Sequence, residues 1–159
     1  MSEEPRRAPT ESHGETADVS DPHPDTQKPT SPVAIIIDID GTIALRGDRD
    51  QPNWPIIELV QILRCYMFKV LFVSGRQEKA RADTLDWLME LFPAWEVNSR
   101  LFMRADGDVR QDSVVKREIY EREIAGTYEV RWVFDDRQQA VDMWRSIGLT
   151  VLRVASGDF

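Results

Sequence analysis

From Val33 onward, short apolar runs alternate with segments whose apolar residues recur at helical spacing, and this alternation restricts the fold more than any other feature of the chain. Val33–Asp38 is a β-branched run of the kind that forms a strand buried on both faces. Ile56, Leu59, Val60, Leu63 and Met67 then repeat at helical spacing. Lys69–Val73 is a second strand, followed by a helix with Ala82, Leu85, Leu88, Met89 and Phe92 on its apolar face. Arg100–Arg104 predicts a third strand, and Val114, Val115, Ile119 and Ile124 a third helix. Val130–Phe134 is the fourth strand, Ala140, Val141, Trp144 and Ile147 line the fourth helix, and Leu149–Val154 closes as the fifth strand. Strands alternating with helices of this length predict an α/β fold with a doubly wound, parallel, five-stranded sheet. In such sheets ligands bind beyond the carboxyl ends of the strands, where the strand order switches.

The segment before Val33 has a different composition. Residues 1–32 hold six of the nine prolines of the chain and few apolar residues, too little to offset the entropy of ordering, so a disordered acidic tail is expected, with one domain over 33–159. Both histidines, His13 and His23, lie in this tail. The folded part must therefore work without histidine, which excludes serine–histidine hydrolases and most zinc enzymes. A single cysteine, Cys65, excludes an internal disulfide and a cysteine-built zinc site, and suits a reducing cytoplasm. The net charge of -8 excludes a protein that coats long runs of phosphates. No apolar run approaches the ~20 residues of a membrane-spanning helix, and the N-terminus has no apolar core of a secretory signal.

Chemistry-bearing residues cluster at the predicted strand ends. The first strand runs into Asp38-Ile39-Asp40-Gly41-Thr42. Two carboxylates so placed can hold a hard cation such as Mg²⁺ or divide the roles of nucleophile and general acid, whereas an ordinary Asp-Gly turn needs neither. The second strand ends in Val73-Ser74-Gly75-Arg76, where Ser74 either caps the next helix or helps bind an anion, and Arg76 adds a planar donor for phosphate. The fourth ends in Asp135-Asp136, a like-charged pair that a cation shared with Asp38 would relieve. Asp112 and Lys116 stand i,i+4 on a predicted helix: either an exposed ion pair or an ammonium aimed at the site with Asp112 orienting it.

Taken in order, Asp38-x-Asp40-Gly41-Thr42, Ser74, Lys116 and Asp135-Asp136 resemble the four motifs of the haloacid dehalogenase superfamily of phosphotransferases, whose Rossmann-like fold has three layers. Val73–Arg76, Arg110–Lys116, Asp135–Arg137 and the stretches Met143–Gly148 and Val154–Phe159 are further similar to the 3′-phosphatase domain of the T-even phage polynucleotide kinase/phosphatases. The resemblance implies that Asp38 attacks phosphorus and Asp40 protonates the departing 3′-oxygen, then activates water as a base. It also implies that Ser74 and Lys116 bind the phosphoryl oxygens, and that Asp38, the Asp40 carbonyl, Asp135 and Asp136 hold Mg²⁺. Arg76 and Asp112 match substrate-gripping and lysine-supporting positions, and an arginine expected after the first motif is Arg49 or, alternatively, Arg46.

The sequence carries no Gly-x-x-x-x-Gly-Lys-[Ser/Thr] phosphate loop, so a phosphatase without its own kinase is expected, acting beside a separate 5′-kinase or ligase. Ile43–Trp54 and Arg100–Asp112 are too short to hold a covering cap domain of ≥ ~50 residues, which leaves an open, capless site that a 3′-phosphorylated DNA or RNA end can enter. A second copy of the chain is a candidate roof. Trp54 or Trp95 can stack on a base, although core packing is the commoner role of tryptophan. The competing readings are a capless phosphatase for small phosphomonoesters and a silent end-repair binding module. A response-regulator receiver places its acidic pair and phosphorylated residue on different strands, unlike Asp38-x-Asp40.

Overall fold

The structure, a computed structural model, describes residues 31–45, 51–93 and 99–154. Most of the expected tail, together with Arg46, Arg49 and Trp95, lies outside the described residues. The elements follow in the order β1 (Val33–Ile37), α1 (Trp54–Cys65), β2 (Lys69–Gln77), α2 (Arg81–Leu91), β3 (Ser99–Arg104), α3 (Asp112–Ile119), β4 (Glu129–Asp135), α4 (Gln138–Ser146) and β5 (Val151–Arg153). All strand pairs are parallel and the sheet order is β3-β2-β1-β4-β5, so the expected five-stranded parallel sheet is present. The chain winds outward from β1 to β3, then crosses back to β4. The order therefore switches between β1 and β4, at the centre of the sheet.

Strand alternation sends successive side chains to opposite faces and so builds two cores. Ile35 and Ile37 of β1, with Val70 and Phe72 of β2, pack against Ile57 and Val60 of α1 and Leu88 of α2. Ala34 and Ile36, with Leu71 and Val73, face Val115 and Ile119 of α3 and Ala140 and Trp144 of α4. Helices on both faces of one sheet make the three layers. α1 opens with Pro55 in its first turn, where a missing N–H costs nothing.

Some predicted helix faces are rotated. In α2 the buried positions are Thr84, Leu88 and Leu91, while Ala82 and Met89 face solvent. The cause is β2, which runs four residues beyond Val73 and is followed by a 3₁₀ turn at Glu78–Ala80, so the helix begins only at Arg81. Leu59 and Val114 are likewise exposed. After α3 the chain widens into a π turn, Tyr120–Ile124, which returns Ile124 to the core. β5 is shorter than its apolar run, because Leu149 and Thr150 precede the pairing. No helix among the described residues is long and apolar enough to cross a membrane.

Candidate active site at the switch in strand order

Asp38 follows the last residue of β1, and its N–H still donates to Phe134 O of β4 at 2.9 Å, so the ladder holds its backbone. Directly after it the chain turns tightly: Ile39 O accepts from the N–H groups of Thr42, Ile43 and Ala44 at 3.2, 3.1 and 2.9 Å. Gly41 sits in this turn at φ 91°, a left-handed conformation that side chains resist. Asp135 ends the neighbouring β4 and Asp136 follows it, and the Arg137 N–H donates to Asp135 Oδ1 at 3.2 Å. Arg137, not Asp136, occupies the N-cap position of α4.

Lys116 of α3 is the centre of the cluster. Its ammonium donates to Asp38 Oδ1 at 2.7 Å and to Asp135 Oδ2 at 2.8 Å, and lies 3.0 Å from Asp112 Oδ2. It is 1% exposed, and its three partners are also buried. Of the two readings of the i,i+4 pair, the exposed one is therefore excluded and the inward one holds. Burial pulls the Lys116 pKa down, but the three carboxylates outweigh it and raise it above the usual lysine range. Burial pushes the Asp38 carboxyl well up, reinforced by Asp135 and Asp112 and opposed by Lys116. Asp112 goes the other way: Lys116, Arg137 and Arg104 overcome its burial and hold it low.

Asp40 stands apart from this cluster. Its carboxylate receives a forked pair from Arg76, Nε at 3.0 and 3.1 Å and Nη2 at 2.7 Å. The same guanidinium donates to Thr84 Oγ1 at 3.3 Å and lies over the Trp87 ring. Asp40 borders an open cleft of about 510 Å³ walled by Arg76, Gln77, Lys79, Asp83 and Thr84. Ser74 is buried inside β2 and is not a helix cap, since the helix starts several residues later. Its Oγ accepts from the Arg76 N–H at 3.1 Å across the irregular end of the β2–β3 pairing. Thr42 Oγ1 donates to Asp38 Oδ2 across 3.4 Å, too long to fix the carboxylate by itself.

Carboxylate oxygens of Asp38, Asp135 and Asp136 lie within 4.8 Å of one another. Four carboxylates are buried among the described residues, against only two buried cations, Lys116 and Arg104. That excess of negative charge, carried on hard oxygen donors, fits a divalent ion of the Mg²⁺ type. The Asp40 carboxylate does not belong to this donor set.

Two contributors were not singled out from the sequence. Trp144 belongs to the apolar face of α4, yet its indole N–H donates to Asp135 Oδ2 at 3.1 Å. Arg104 terminates β3 and donates to Asp112 Oδ1 at 3.1 Å. The strand-end criterion that selected the aspartates applies to Arg104 equally; nothing in the helical pattern distinguishes the Trp144 indole from ordinary core. Trp54 is 55% exposed and so is not a core residue.

A family model described as the polynucleotide kinase PNKP phosphatase domain matches residues 32–159. The chain is 32% identical over 137 residues to the "Putative bifunctional polynucleotide kinase/RNA ligase" of Autographa californica nuclear polyhedrosis virus, covering 77% of this chain and 19% of that protein. Among solved structures, a chain of a Pnkp1/Rnl/Hen1 complex superposes with a TM-score of 0.75 at 34% identity, covering 83% of this chain and 49% of that one. A chain of the Pnkp1/Rnl/Hen1 RNA repair complex gives 0.74 at 33% identity, covering 84% and 45%. The chain thus spans about a fifth of the viral protein and just under half of each solved chain.

Proposed function

Because this chain belongs to the polynucleotide kinase PNKP phosphatase-domain family, with the haloacid dehalogenase type of fold, we propose that it removes 3′-terminal phosphates from RNA or DNA ends. The observation that carries this reading is the division of labour between its two aspartates. Asp38 is buried against Lys116, whereas Asp40 stands at the open cleft in the grip of Arg76. A nucleophile beside a charge-stabilising cation and a proton donor on the leaving-group side are what phosphoryl transfer through a carboxylate needs.

An oxygen of Asp38 would attack phosphorus and form a phosphoaspartate as the bond from phosphorus to the 3′-oxygen breaks. Asp40 would pass its proton to that oxygen. Asp40 would then take a proton from the water that attacks the phosphoaspartate, releasing inorganic phosphate and restoring Asp38. Lys116 and Ser74 would hold the non-bridging oxygens where charge builds. Arg76, which grips the Asp40 carboxylate, would also offer its guanidinium to the phosphate. Mg²⁺ held by Asp38, Asp135, Asp136 and the Asp40 carbonyl would screen the carboxylate from the phosphoryl charge. Arg49, or Arg46, remains the arginine that the resemblance places on the substrate. The names of the relatives join such domains to RNA ligase and RNA repair, which supports RNA ends as substrate and a ligase as the consumer of the 3′-hydroxyl.

Matched oligonucleotides bearing a 3′- or a 5′-phosphate, with a nucleoside 3′-monophosphate alongside, test this reading. Phosphate release confined to the 3′-phosphorylated oligomers, in both RNA and DNA arms, is the expected result. Equal or faster turnover of the mononucleotide would replace it with a small-molecule phosphatase. Metal binding has its own readout: Mg²⁺ at a hundredfold excess over its Kd should stabilise the fold by about 2.7 kcal/mol. Asp136→Asn should remove most of that thermal shift, and an undiminished shift would take Asp136 out of the metal site.

A further inference from the structure

Arg104 is 8% exposed, and its donors are spent on three separate pieces of the molecule. Nε donates to Gly75 O at 2.9 Å. Nη1 donates to Arg110 O at 2.7 Å and, more weakly, to Asp108 O at 3.3 Å. Nη2 donates to Asp112 Oδ1 at 3.1 Å, while the other oxygen of that carboxylate faces Lys116 at 3.0 Å. Gly75 lies between Ser74 and Arg76, and is pressed against the same carboxylate. A Cβ at Gly75 would stand 2.2 Å from Asp112 Oδ1.

One guanidinium thus ties the strand end that carries Ser74 and Arg76 to the carboxylate that backs Lys116. We propose that Arg104 is a positioning residue for phosphoryl transfer: it fixes the spacing between Ser74 and Lys116, the two groups that the phosphatase reading assigns to the phosphoryl oxygens. The inference rests on the phosphatase reading above. A planar fork is required because the three acceptors lie in different directions. An ammonium is a point charge that can neutralise Asp112 but cannot also hold Gly75 O and Arg110 O.

Arg104→Lys separates positioning from mere charge balance, and Gly75→Ala disturbs the same contact with the arginine intact. The readouts are kcat on a 3′-phosphorylated oligonucleotide, the inhibition constant for inorganic phosphate with Mg²⁺ present, and a thermal melt. Both variants should lower kcat and raise the phosphate inhibition constant, each by about tenfold or more, as loss of an orienting partner commonly does. A change that only reduced the folded fraction would lower kcat and leave the inhibition constant untouched. An inhibition constant unchanged in folded Arg104→Lys and folded Gly75→Ala overturns the proposal. If wild-type protein turns over none of these substrates, the phosphatase reading fails instead, and calorimetric titration with inorganic phosphate still decides whether Arg104 orders the anion site.

Discussion

Asp38→Asn should reduce phosphate release by roughly ten-thousand-fold or more, as removal of a nucleophile does, without unfolding the protein. An amide keeps the shape of the carboxyl and can still accept the Lys116 hydrogen bond, now 2.7 Å long at Oδ1. It lacks the charged oxygen that, in the proposed mechanism, attacks phosphorus. The same change should raise the melting temperature of metal-free protein. Asp38 is buried, and its carboxyl is pushed well above the usual range by that burial and by Asp135 and Asp112, against the opposing pull of Lys116, so its charge opposes folding. Relief of about 1 kcal/mol would move the melt by a few degrees in a domain of this size. Phosphate release and a thermal melt without Mg²⁺ check both halves. Activity within tenfold of wild type would remove Asp38 as the nucleophile, and a lowered melt would contradict the electrostatic account.

The opposite end of that ion pair should behave in the opposite sense. Lys116→Met keeps an unbranched side chain shorter by one atom but strips Asp38, Asp112 and Asp135 of the ammonium they share. Breaking a buried pair by removing one partner typically costs about 3–5 kcal/mol, because the other charges stay buried. The loss should appear as a lower urea midpoint at pH 7, together with loss of turnover. The folded pKa of Lys116 is raised, since the three carboxylates prevail over burial. Its contribution is therefore whole below the unfolded lysine value of about 10.4, and is lost as pH climbs from there through the folded value. A Lys116→Met midpoint equal to wild type would show that the carboxylates have another source of compensation.

The sheet, its parallel sense and the strand ends that carry the site were legible in the sequence because burial on both faces leaves an unbroken β-branched run. Asp38, Ser74 and Asp135 could be found for the same reason: each is a polar residue where such a run stops. The rotated face of α2 was not legible. Its register follows from how far β2 continues past Val73 and from the 3₁₀ turn, and neither has a hydrophobic period of its own. The Arg76–Asp40 fork joins residues 36 positions apart, and the spacing of either motif is silent about it. Arg104 stands at a strand end, as the aspartates do, but what it binds was hidden for a similar reason. Its partners are mainly carbonyl oxygens, which every residue possesses, so no side-chain pattern announces them.

Asp38 and Lys116, 78 residues apart, meet across the crossing that sets β4 beside β1. On the ribosome Asp38 is therefore made long before Lys116 and the second acidic pair, and β1 must wait with one of its two edges unpaired until β4 emerges. Such waiting apolar strands are aggregation-prone, and long-range parallel pairing is slow. Asp38, Asp112 and Lys116 are all made before β4, but Asp135 and Asp136 arrive only with it, so the buried acidic cluster is complete only once β4 has paired with β1. Under the proposed function, activity would appear only after β4 has paired with β1, so its onset would time that step.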